Sequence, residues 1–210
     1  MWRVSKSVRE YRKAPEWHHY RERESADWIG RFGLPGHPFG TFRNHVQNVL
    51  EGQVRGYPAT LFHLSGVRKG GRYGTIVNMY SVAVLTLPTS LPDTSVSVGT
   101  VVYRLRTEPL PPHAGGPVHL PQGRRPRMVK CSVEPAFAKL VITEPVVRIT
   151  AGARMGWRLH GNQLIGWVKG RKPYGKIIGL AETMADILAE FPASALAGNP
   201  PIAGTPPPPS

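Results

Sequence analysis

Cysteine is nearly missing from this chain: Cys131 stands alone among 210 residues. A lone thiol excludes any internal disulfide, and no zinc-type ligand spacing emerges around it. It lies in a stretch with Met128, Val129 and Val133, so it reads as a small buried hydrophobe and not as a nucleophile. Such usage fits a reducing compartment. Carboxylates are scarce too, with 13 Asp and Glu against 27 Lys and Arg. Asp93 is the only one between Gly52 and Thr107, and none lies between Pro145 and Ala181. Glycosidases and metal-dependent nucleases cluster two or more carboxylates, and no spacing here asks for that. Long apolar runs are absent as well. The longest, 82–87, falls far short of the ~20 residues that a membrane-spanning helix needs. The N-terminus, MWRVSKSVREYRK, carries charge with no apolar stretch behind it, so no secretory signal is expected. Together these absences lead to the expectation of a soluble cytoplasmic protein with no transmembrane segment.

Catalytic motifs are equally thin. HLSGV at 63–67 is not a G-x-S-x-G elbow. GVRKGGRYG at 66–74 could cradle an anion through its glycine amides and Arg68, Lys69 and Arg72. It lacks the G-x-x-x-x-G-K-[ST] pattern, however, and a solvated hairpin loop is the plainer reading. His18 and His19 are adjacent, a poor chelating arrangement, while His45 and His63 fall on neighbouring expected strands and could face one another. No catalytic residue, metal site or cofactor is assigned.

What the chain has is positive charge, a formal net +14, and it is unevenly placed. Residues 109–181 hold twelve basic and two acidic side chains, while 182–210 hold only acids: Glu182, Asp186 and Glu190. Three clusters stand out: Arg68, Lys69 and Arg72; Arg124, Arg125, Arg127 and Lys130; Lys169, Arg171, Lys172 and Lys176. All fall in or beside expected loops, so they could converge on one edge of the fold. Converging cations bind phosphates of nucleic acid or of an anionic membrane. Tyr73 and Tyr174 are candidates for stacking on bases. The bland alternative is a basic but diffuse surface.

The 40% of hydrophobic residues can build a core, and 22 prolines with 23 glycines indicate many turns. Residues 1–35 read as an N-terminal arm or loop, 36–191 as a single α+β domain, and 192–210 as a disordered Ala/Pro-rich tail. Strands are expected at 45–50, 57–64, 75–87, 93–98 and 127–133, short helices at 99–105, 135–140 and 145–151, and a Pro-rich surface loop at 107–126. WRLH-GN-QLIGWV at 157–168 reads as a hairpin with a two-residue turn. Leu180, Met184, Ile187, Leu188 and Phe191 recur at helical spacing up to Pro192. Tight turns between strands imply antiparallel pairing. The fold class is therefore α+β, with a predominantly antiparallel, strongly curved sheet, short helices and one C-terminal amphipathic helix. By analogy a pleckstrin-homology-like roll would suit it.

Several stretches resemble a family of uncharacterised actinobacterial proteins: GHPFGTFRNHVQNVLEGQVRGYPATLFHL at 36–64, YSVAVLTLPTSL at 80–91, VEPAFA at 133–138 and WRLHGNQLIGW at 157–167. Their order carries the likeness, and the Pro-rich segment with its basic cluster at 107–127 departs from it. The resemblance implies a shared fold and transfers no activity, cofactor or site residue.

The function expected from these features is a non-enzymatic basic module that binds a polyanion, nucleic acid first, without sequence-specific readout. One alternative is an adaptor that meets an anionic membrane surface by its basic loops or a protein by helix 180–191. Another is a small hydrolase or transferase with a dispersed His/Glu site.

Overall fold

The structure, a computed structural model, describes residues 2–20, 38, 43–69, 75–98 and 128–197. Expectations for the helix at 99–105, the Pro-rich loop 107–126 and the tail beyond 197 lie outside the described residues.

The fold is α+β, with one six-stranded, wholly antiparallel sheet. Its strands are β1 (His18–His19), β2 (Arg43–Val54), β3 (Tyr57–Lys69), β4 (Thr75–Val98), β5 (Met128–Ser132) and β6 (Gly156–Lys169). The helices are α1 (Trp2–Tyr11), α2 (Pro135–Val141), α3 (Glu144–Gly152), α4 (Tyr174–Ala189) and α5 (Ala193–Leu196). The strand order is β1-β2-β3-β4-β5, with β6 on β4, so the described strands leave the sheet open and not closed into a roll.

β4 organises the sheet. Residues 75–85 pair with β3 and residues 94–98 with β5, while β6 follows β4 from Tyr80 to Ser97. The register along β6 shifts twice, between Thr86 and Leu91 and between Leu91 and Thr94. Pro88 and Pro92 sit in this interval of β4 and cannot donate to a ladder. The ribbon bends there. Gly156 packs against the indole ring of Trp167, eleven residues further along the same strand. A straight strand would hold those residues roughly 36 Å apart. So β6 doubles back, and the hairpin expected at 157–168 is one bent strand. Both halves pair with β4, and Gly161 (φ +55°) supplies a bend within the ladder where a chain reversal was expected.

Alternation sorts the core onto both faces of the sheet. One face carries Leu50, Leu61, Ala83, Leu85, Trp157 and Leu164, covered by the helices; the other carries Val46, Phe62, Leu64, Val82, Val84, Ile165 and Trp167. A register shift between Gln47 and Leu50 lets β2 serve both, with Asn48 in the left-handed region (φ +53°). α4 lies on the first face through Tyr174, Ile177, Leu180, Ala181, Met184, Ile187 and Leu188. It starts six residues earlier than the apolar spacing suggested. Burial of Tyr174 and Ile177 outweighs the poor helix propensity of Gly175 and Gly179. The chain also stays ordered past Pro192: α5 buries Ala195, and the Thr89 hydroxyl donates to the Leu196 carbonyl at 3.2 Å.

Candidate functional site

The connection from β6 into α4, residues 170–173, carries much of the third basic cluster. It is laid across one end of the sheet by polar contacts. Strand register places Gln47, His63 and Ser81 in a single cross-strand row on β2, β3 and β4. The connection roofs that row. The Arg171 guanidinium donates to the Gln47 side-chain oxygen. His63 Nε2 donates to the Lys172 carbonyl at 2.8 Å. The Ser81 hydroxyl donates to the Gly170 carbonyl at 2.9 Å and accepts the Lys172 N–H at 2.8 Å. The Gly170 N–H reaches the Met79 carbonyl at 2.7 Å. These bonds satisfy backbone groups that would otherwise be orphaned between β6 and α4.

His63 is 1% exposed, and burial is the main cause that pulls its pKa below the usual imidazole value, with the Arg171 charge acting in the same direction. It is therefore neutral at pH 7. With Nε2 donating, Nδ1 is left to accept from the Asn48 amide at 3.4 Å. Its interactions are to a carbonyl, an amide and the Tyr174 ring, whose centroid is 5.6 Å away. No carboxylate stands among these partners, and His45 is exposed. The pairing of His45 and His63 with an acid that an enzyme reading would need is not found among the described residues. Nor is any group of three or more His, Cys, Asp or Glu placed to hold a metal there.

Tyr174 corrects an expectation. It is fully buried, its hydroxyl donates to the Asn48 carbonyl, and burial raises its pKa far above the ordinary phenol value. It locks α4 to the β2 irregularity and offers no ring for stacking. Tyr73, the other stacking candidate, lies outside the described residues, as do Arg72, Arg124, Arg125 and Arg127.

The register groups part of what remains. Arg68 and Lys69 pair with Ile76 and Thr75 at the end of the β3–β4 ladder, and Lys169 pairs with Tyr80 a few residues along the same strand. The first and third clusters thus share one end of the sheet. Lys130 pairs with Val96, on the half of β4 beyond the bend. Lys169, Lys172 and Lys176 are exposed and Arg171 is half-buried.

The structure adds cations that sequence reasoning passed over. α1 packs against α4: the Tyr174 N–H donates to the Ser7 hydroxyl at 2.8 Å, and the Tyr11 and Tyr174 rings lie 5.6 Å apart. Val4, Val8 and Tyr11 face the core, which leaves Lys6, Arg9, Arg12 and Lys13 around a shallow depression with Glu10. Arg12 Nε also donates to His19 Nε2 at 3.2 Å. The signal was present in the sequence, since 4, 8 and 11 are helical spacing with the cations off that face. The result is a cationic ridge along α1 and the turn that follows it, on a helix packed against the start of α4.

A second polar group sits at the ribbon bend. His160 Nδ1 donates to the Asp93 carboxylate at 3.0 Å, and Asp93 also lies near the buried Arg158. Burial lowers the Arg158 pKa, and the Asp93 charge opposes that. This arrangement neutralises a cation drawn into the fold. No helix among the described residues is long and apolar enough to cross a membrane.

The sequence matches no protein-family model and no curated protein. Among solved structures the chain is similar to the mycobacterial trehalose monomycolate transport factor A, TtfA. The two share 14% identity over 90% of this chain and 96% of that one, with a TM-score of 0.57. At that identity the likeness extends to the fold.

Proposed function

We propose that this protein is a non-enzymatic cytoplasmic module that binds a phosphate-bearing polyanion by charge, without sequence-specific readout. The observation that carries the reading is the ridge of Lys6 and Arg9 on α1 with Arg12 and Lys13 in the turn after it, on a helix tied to the start of α4 by the Ser7–Tyr174 bond. Each phosphate that these cations neutralise releases counterions, which drives binding at low salt. The buried Tyr174 removes one of the two stacking candidates, so the reading rests on phosphate recognition. Sharing a fold with a protein described as a transport factor is compatible with a binding role. A second reading, an adaptor at an anionic membrane surface, is favoured by one observation: exposed Val77 and Met79 at the basic end of the sheet.

The test is binding of the full chain to a fluorescently labelled duplex oligonucleotide across a salt series. Log affinity should fall linearly with log salt. An Arg9→Glu/Lys13→Glu variant should lower that slope by about 2, as expected for two lost phosphate contacts. Salt-independent binding, or an unchanged slope in the variant, would count against the reading.

A further inference from the structure

The roof over the Gln47–His63–Ser81 row ends abruptly. One pleat further out, on the same face of the sheet, register aligns His45, Ser65 and Met79; the next row is Arg43, Val67 and Val77. In these outer rows Ser65 is half-buried, but His45 is exposed, Met79 is 41% exposed and Val77 48%. β6 has already left the ladder, because its last pair with β4 is Lys169 with Tyr80. Two of the four large apolar side chains exposed among the described residues therefore sit side by side, roughly 7 Å apart along one strand. Singly exposed apolar residues are ordinary, but an adjacent pair at a sheet end is a patch.

Its surroundings are cationic. Lys172 emerges from the connection that covers Ser81, one pleat from Met79. Arg43 begins β2 in the outer row and Lys69 ends β3, while Lys169, paired with Tyr80, belongs to the opposite face. The described chain holds no carboxylate residue in β3 or in residues 75–92 of β4.

We propose that this end of the sheet, Val77 and Met79 with Lys172 beside them, docks onto an anionic lipid bilayer. The proposal deepens the polyanion reading and rests on it, naming the polyanion as a membrane surface. Two apolar side chains are too small a patch for a stable protein interface, which needs about 800 Å² on each partner. They also have no use on a nucleic-acid backbone. A bilayer interface accepts both features together: short apolar groups enter the headgroup–acyl boundary while a lysine at their edge meets lipid phosphates. Neither signal suffices alone, so binding is reversible and depends on anionic lipid. The antiparallel ladder between β3 and β4 holds the patch at a fixed angle.

The experiment is flotation of the full chain with vesicles of phosphatidylglycerol in phosphatidylcholine and with phosphatidylcholine alone. Wild type, Val77→Ser/Met79→Ser and Lys172→Glu would be compared, each checked for an unchanged melting curve. Wild type should float with the anionic vesicles only, and both variants should lose about tenfold in partitioning, the serine variant while keeping its oligonucleotide binding. Equal flotation of the serine variant and wild type would overturn the apolar contact and leave charge alone. Oligonucleotide binding without vesicle binding would overturn the membrane proposal and spare the polyanion reading. Binding to neither would overturn both.

Discussion

At the scale of single residues, His63 is the most consequential side chain in the described fold. It is buried, it donates to the Lys172 carbonyl, and it accepts from Asn48 only while neutral. Burial and the Arg171 charge hold its pKa below the value of 6.5 that an unfolded chain would show. A histidine with a depressed folded pKa binds protons more weakly folded than unfolded. Stability should therefore be complete above about pH 6.5 and fall as the pH drops from there to the folded value, by about 1.4 kcal/mol for each pK unit of depression. His19, whose pKa is also lowered, chiefly by burial and then by Arg12, adds a slope of the same sign. Urea unfolding at a series of pH values checks this. His63→Gln should cost stability at pH 7 and flatten the decline between pH 5 and 6.5. An undiminished slope in that variant would assign the acid sensitivity elsewhere.

At the scale of elements, the bend in β6 depends on a missing side chain. A Cβ at Gly156 would overlap the Trp167 ring, and a packed indole cannot swing aside as a flexible chain end can. Gly156→Ala should therefore cost about 1–3 kcal/mol, the usual range for overpacking, read as a lower urea midpoint with an unchanged slope. Gly166→Ala makes a useful comparison. Its nearest neighbour is the thioether end of Met184, which can move, so the loss should be smaller. The same bend marks where the sequence stopped being readable. Alternating apolar residues placed β3, the first half of β4 and the antiparallel hairpin between them. Proline at the first helical turn announced α2 and α3. Gly161-Asn162 also looked like a turn, because a two-residue reversal and a left-handed glycine inside a bent ladder use the same residue types. Only pairing to β4, nearly seventy residues away in sequence, separates them. The row at the candidate site was hidden for a similar reason: His63 and Lys172 are 109 residues apart, and neither carries a local pattern that names the other. The α1 ridge, by contrast, was legible from the spacing of Val4, Val8 and Tyr11.

At the scale of the whole molecule, charge balance sets a limit that geometry cannot remove. With 27 Lys and Arg against 13 Asp and Glu, even complete one-to-one pairing would leave fourteen cations without a carboxylate. The pairs that form include Lys6–Glu10, Arg148–Glu144 and Arg55–Asp186, all well exposed and each contributing at most about 1 kcal/mol. Salt weakens such pairs slightly, but it screens the repulsion among the excess cations as well, and the excess is the larger population. Added sodium chloride should therefore raise the melting temperature, by about 2–4 °C for every kcal/mol of repulsion relieved. A polyanion should do more. A ligand that binds only the folded state stabilises it in proportion to the logarithm of its concentration over its dissociation constant. Heparin at matched ionic strength should thus raise the melting temperature beyond the sodium chloride effect, and the Arg9→Glu/Lys13→Glu variant should lose most of that increment. Equal shifts from heparin and sodium chloride would mean that the fold senses ionic strength alone and that the ridge on α1 is only a solvated surface.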